Sequence, residues 1–200
     1  MPQVFTDPKE IKQDFAFLAV GARNKSEYER AAIQGVAVES EHLFIPVGCK
    51  LVRYNDCAKG FCLALINDAE RVVLYYCYVV NVYDSELSIR GVSQALVWRN
   101  RMKPAYKKAT QDFVAQVFNG YLIEHYNVIV SDVYHSYGGM FMWQEQLGLA
   151  IQRRDRNVFL YDQLNASKTP ITVDTFDRFI DELWSEGDSK LHCRAIIAKA

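Results

Sequence analysis

The stretch Arg71–Tyr83, RVVLYYCYVVNVY, sets the tightest limit on what this chain can fold into. Its β-branched and aromatic residues favour extended backbone, and both alternating faces of the resulting strand are apolar. Such a strand has no side that tolerates water, so it belongs at the centre of a sheet with helices packed on each face. Phe61–Asn67 precedes it, and the intervening Asp68-Ala69-Glu70 is short enough to close a hairpin.

Around this pair the chain divides by periodicity. Asp7-Pro8-Lys9-Glu10 combines an N-cap, a proline suited to the first helical position and an acid three residues after the cap, so it starts a helix carrying Ile11, Phe15 and Leu18. Ser26-Glu27-Tyr28-Glu29 repeats the device and predicts a second helix, with Tyr28, Ala31 and Ala32 on one face and Val36 in line to extend it. From Leu43 the period changes to two, interrupted by Pro46 and Gly48, and Lys50–Tyr54 predicts an early or edge strand. Gly91–Asn100 predicts a fourth strand. A helix follows from Thr110, its apolar face built from Phe113, Val114, Val117, Phe118, Tyr121 and Leu122.

The remainder alternates. Asn127–Val130 reads as a short strand, and a helix capped by Ser136 follows it, with Trp143 and the pair Met140 and Met142 in its core face. Asn157–Asp162 reads as a strand, Asn165–Pro170 as a loop, Thr172–Glu186 as a helix stopped by Gly187, and Cys193–Ala198 as a closing strand. The sum is an α/β (α+β) sandwich: a mixed, largely antiparallel central sheet with helices on both faces. It forms a single domain over 1–200, with 1–40 as an N-terminal two-helix extension.

Composition excludes several classes of function. With 50% hydrophobic and 24% charged residues the chain can bury a core, and its net charge of −1 gives no global attraction to nucleic acid. The five cysteines, Cys49, Cys57, Cys62, Cys77 and Cys193, are odd in number, form no CxxC pair and sit mostly among apolar neighbours, as reduced buried thiols do. No apolar run approaches membrane-spanning length and the N-terminus lacks a leader pattern, so a cytoplasmic location is expected. His42, His125, His135 and His192 are too scattered for a metal pair, and no metal site is expected.

Two stretches carry the chemistry that remains. In Asn127–Ala150 a strand ends in Ser131-Asp132 and leads through Tyr134, His135 and Tyr137 into a helix, and the carboxyl end of a strand before a helix is where ligands collect. In Arg99–Lys108 five basic side chains, Arg99, Arg101, Lys103, Lys107 and Lys108, occur without an acid, so any anion site is local to this turn. Asp132 can also be read as a turn residue that ties down the loop.

An antiparallel meander, a basic turn, a helix, a short strand, a helix and a final strand resembles the GCN5-related N-acetyltransferase (GNAT) family. The likeness is nearest to its divergent members carried by bacteriophages, through Ser131-Asp132, Ser136, Gly139, Trp143 and Leu147. The resemblance runs from Leu43 to Ala200 in order of elements, and over about 17 positions at the level of residues. It implies acetyl-CoA as cofactor, its pyrophosphate held at the helix after the fourth strand by Lys103, Tyr106, Lys107, Lys108 and Thr110. It also implies catalytic groups drawn from Asp132, Tyr134 and Tyr137, and an acceptor amine on a host protein or small molecule. The family pattern Gln/Arg-x-x-Gly-x-Gly/Ala falls on Lys107–Asp112, where Thr110 and Asp112 occupy the glycine positions. Two main readings therefore stand, an acyl-CoA-dependent N-acetyltransferase, or a catalytically inactive binding protein on the same scaffold that inhibits or redirects a host protein, with a nucleotide or other anion sensor using the same basic turn as a third.

Overall fold

The computed structural model describes residues 18–84, 89–100, 104–130, 137–184 and 192–200. The fold is mixed α/β, with a largely antiparallel open sheet and helices. Two compact units divide it: residues 18–81 with Gln94–Leu122, and Val82–Ser93 with Ile123–Ala200.

The first unit begins with α1 (Gly21–Gln34) and a two-residue edge strand, β1 (Val36–Ala37). It continues as a meander of β2 (Cys49–Cys57), β3 (Gly60–Asn67), β4 (Val72–Asp84) and β5 (Ile89–Arg99), the last two running on into the other unit. β3 is buried along its whole length, and it pairs antiparallel with β2 and β4. As the composition of Arg71–Tyr83 requires, β4 is covered on both sides. Val73 and Tyr76 join Leu18, Tyr28, Ala31, Tyr54, Cys62 and Leu96 in a cluster beneath α1. On the opposite face Tyr75 meets Phe113 edge to face, with ring centroids 5.2 Å apart. Full burial of each such aromatic contributes about 1.5–3 kcal/mol.

The fit of α1 to the sheet depends on a bulge. The β3–β4 register shifts between Leu65 and Ile66, which interrupts the ladder near Val73. Asn24, 4% exposed, fills the gap: its Oδ1 accepts the Val73 N–H at 2.9 Å, and its Nδ2 donates to the Val73 carbonyl at 3.1 Å. The helix thus starts well before Ser26, and Glu27 lies inside it rather than in a capping box. Val36, expected on the apolar helical face, instead stands 73% exposed on β1.

A helical run follows in pieces: α2 (Pro104–Gln111), α3 (Phe113–Val117), a π-helical segment Phe118–Leu122 and α4 (Ile123–His125). Phe113, Val117, Phe118, Tyr121 and Leu122 are buried, which is most of the apolar face read from the sequence.

In the second unit β6 (Val128–Val130) runs parallel to β5, at Val92↔Val128, and antiparallel to β9 (Cys193–Lys199). β7 (Arg156–Asp162) pairs with the other edge of β9, so the last strand of the chain lies between two earlier ones. α5 (Tyr137–Gln152) buries Trp143, Leu147 and Ala150, and α6 (Phe176–Trp184) buries Phe179. Asn165–Pro170, expected as a loop, contains β8 (Ser167–Pro170), a fully exposed edge strand on β7.

Candidate functional site

β5 changes character along its length. Gln94 donates through Nε2 to the Cys77 thiol at 3.6 Å, on the Tyr75 side of β4, whereas Leu96 and Trp98 pack with Tyr54 and Tyr76 on the α1 side. The period of two is therefore interrupted between Gln94 and Leu96, as at a bulge. Before this point Gly91 brings β5 close to its parallel neighbour, since a Cβ there would lie 2.7 Å from the Asn127 carbonyl. One residue on, Val92↔Val128 is the single register pair with β6 among the described residues. Among the described residues Gln94–Arg99 has no register partner in β6, and a strand edge left without a partner can accept an extended amide-bearing ligand. Gln94 Oε1 is also left buried without a donor among the described residues.

The helix that follows begins earlier than the sequence suggested. α2 starts at Pro104, whose missing N–H and fixed φ suit the first helical position. The amides of Ala105 and Tyr106 lie in the first turn of this segment. That turn carries no acid, and Pro104, Ala105 and Lys107 are exposed. The positive end of the helix dipole and the Lys107 ammonium therefore favour an anion at this point.

The expected cofactor-binding residues divide. Lys107 is exposed on α2, and Lys108 is helical, its side chain outside the described residues. The Tyr106 phenol accepts from Asn67 Nδ2 at 3.3 Å and donates to Glu70 Oε1, which ties α2 to the β3–β4 turn. Asn67 Oδ1 in turn accepts the Glu70 N–H at 2.9 Å. Thr110 is buried, and its hydroxyl donates back to the Tyr106 carbonyl at 2.9 Å. Its amide lies inside the helix, so all but the last residue of the stretch aligned with a glycine-bearing phosphate loop is helical. Any phosphate contact moves to Pro104–Lys107. Lys103, Asp132 and Tyr134 lie outside the described residues. Tyr137 opens α5, with its side chain also outside them.

Two further polar groupings leave no trace in local sequence spacing. Glu27, 3% exposed, receives the Tyr54 hydroxyl at 2.5 Å on Oε1 and Arg30 on Oε2. Burial, then the bond to Glu27 and its negative charge, drive the Tyr54 phenol far above its ordinary range. In the second unit Glu124 holds Arg153 and Arg156, and Asp155 holds the same two arginines. Both groupings brace helices against strands, with Glu27 and Arg156 buried and Arg30 and Asp155 at the surface.

Asp162, His192 and Cys193 bring their ligand atoms within 4.8 Å of one another. Asp162 is already engaged. Its Oδ1 accepts the N–H groups of Leu164 at 3.0 Å and Asn165 at 3.3 Å, and its Oδ2 accepts Asn165 Nδ2 at 2.6 Å. These bonds, set against slight burial, hold its carboxyl below the usual range. The arrangement is that of an Asp-anchored turn. All five cysteines are free thiols: Cys62, Cys77 and Cys193 are buried, Cys49 is half-buried and Cys57 is exposed. No described helix is long and apolar enough to cross a membrane.

No protein-family model, no curated protein and no solved structure matches the chain.

Proposed function

We propose that the chain is an acyl-CoA-dependent N-acetyltransferase-like protein on a GNAT-like scaffold, acting on an amine. The observation that carries this reading is the course of β5: among the described residues it pairs with the parallel β6 only at Val92, and it runs on from Gln94 to Arg99 toward the exposed, acid-free first turn of α2. The order of elements around it supports the same reading: a parallel strand pair flanking a helical run, then α5, then β9 set between β6 and β7.

In this account the Gln94–Arg99 edge of β5 pairs with the amide-bearing arm of the cofactor, while the Ala105 and Tyr106 amides and Lys107 take its phosphates. Bound acetyl-CoA supplies an acyl group on a thioester, which an unprotonated amine attacks. Asp132, Tyr134 and Tyr137 are the groups proposed to take the amine proton and return one to the departing sulfur. Help of that kind is worth about 10²–10⁴-fold.

A second reading rests on a specific observation. Thr110 and Asp112 replace glycine within or beside a regular helix, and the Tyr106 and Thr110 hydroxyls are already spent. This favours a scaffold that binds a partner protein without turnover.

Calorimetric titration with acetyl-CoA and desulfo-CoA, on the native chain and on Lys107→Glu/Lys108→Glu, separates the two. The transferase reading expects micromolar affinity, about −8 kcal/mol, that collapses on charge reversal. Absence of heat at millimolar ligand rejects it in favour of the partner-binding reading.

A further inference from the structure

The segment between β1 and β2 is pinned in place yet shows apolar side chains to water. Ser40 Oγ donates to the Gly120 carbonyl at 3.0 Å, and the Phe44 N–H donates to Gln116 Oε1 at 2.9 Å. Leu43 is buried, and its N–H donates to the Ser40 carbonyl at 3.1 Å. The π-helical segment makes the fit possible: it places Gly120 where any Cβ would come within 2.9 Å of the His42 carbonyl. π-Helical segments recur at functional positions. Despite these anchors Phe44 is 78% exposed and Val47 entirely so. A pinned loop that displays a phenylalanine carries little ordering cost when a partner binds, which is the property of an anchor at a protein interface.

The charges beside the pair specify what can bind there. From Ala31 to Cys49 the chain has no lysine or arginine, while Glu39 and Glu41 are both present and exposed. We propose that this loop is a docking surface for a lysine- or arginine-rich segment of a partner protein, whose apolar side chains cover Phe44 and Val47 while its cations face Glu39 and Glu41. The surface is separate from the cofactor residues, and the proposal does not depend on them.

The test uses fluorescein-labelled synthetic peptides of equal length, alternating Lys with Leu, Glu with Leu, or Lys with Ser, and follows anisotropy at physiological salt. The Lys–Leu peptide is expected to bind at least about tenfold more tightly than either control. Phe44→Ser/Val47→Ser and Glu39→Lys/Glu41→Lys should each weaken it by about tenfold or more. Leu164→Ser, an exposed position in the other unit, should leave it unchanged. All five substituted side chains are exposed, and circular dichroism checks that each variant is folded. Equal binding of the peptides, no binding at millimolar peptide, or indifference to both loop variants would overturn the proposal. So would a doubled mass in sedimentation that Phe44→Ser abolishes, since the loop would then be covered by a second copy of the chain.

Discussion

Glu27→Gln and Tyr54→Phe, made singly and together, test whether the buried contact beneath α1 holds the first unit together. Glu27 and Tyr54 are 3% and 2% exposed, and the phenol donates to the carboxylate at 2.5 Å. A carboxylate at that depth is tolerated because both oxygens are occupied, one by Tyr54 and one by Arg30. A hydrogen bond to a charged group contributes about 1.5–3 kcal/mol, and Tyr54→Phe removes it with little change of shape. Glu27→Gln keeps an acceptor for Tyr54 but discharges it, and it weakens the pair with Arg30. Because the Arg30 side chain is 49% exposed, that second loss is only about 0–1 kcal/mol. The double variant should therefore lose less than the sum of the two, with a coupling of about 1–2 kcal/mol. Urea unfolding followed by tryptophan fluorescence reads these losses. With a slope of about 1–3 kcal/mol per molar, the Tyr54→Phe loss should shift the midpoint by about 0.5–3 M. Additive losses, with coupling below about 0.5 kcal/mol, would refute the reasoning, as would a Tyr54→Phe midpoint equal to the native one.

Gly60→Ala should destabilise by at least about 1–3 kcal/mol in the same assay, because φ is +156° there and an added Cβ would lie 2.0 Å from the Val79 carbonyl. Below about pH 4 the second unit should weaken: Arg153 leads the groups that hold Asp155 down to about 2, and for Glu124 the pull of Arg156 and Arg153 outweighs the upward push of burial. Both carboxyls are lowered in the folded state, so their contribution is present above their unfolded pKa values and is lost as pH falls through the folded ones. Urea midpoints taken from pH 6 to 2.5 should show this slope, and Glu124→Gln should flatten it. Thiol titration with Ellman's reagent should find Cys57 reacting at once and Cys49 slowly, with Cys62, Cys77 and Cys193 silent until denaturant is added. Burial pushes the Cys77 thiol up to about 12, so little thiolate forms even on local opening.

The hairpin and its burial were legible because Phe61–Asn67 and Arg71–Tyr83 carry strand-forming residues on both faces, a pattern with one economical solution. Trp143 was legible as core, being a large apolar residue in a helical segment. β8 was not, since Ser167-Lys168-Thr169-Pro170 is polar and exposed, and only pairing with β7 makes it a strand. The start of α1 was missed because Ser26-Glu27 imitates a capping box, whereas the true fixed point is Asn24 answering a bulge at Val73, a contact 49 positions away. At the candidate site the basic turn was visible, but the helix start at Pro104 was not given its weight. A proline placed at a helix's first residue moves the anion-favouring turn to Pro104–Lys107 and leaves Thr110 within the helix. The engagement of Tyr106 by Asn67 and Glu70 crosses between distant segments and leaves no trace in local spacing.

The most direct test of the central claim follows backbone amides by nitrogen-15 NMR while desulfo-CoA is titrated into the chain. The account predicts saturable shifts concentrated at Gln94–Arg99 and at Ala105–Lys107, absent in Lys107→Glu/Lys108→Glu. Saturable shifts centred elsewhere, or none at millimolar ligand, would contradict it.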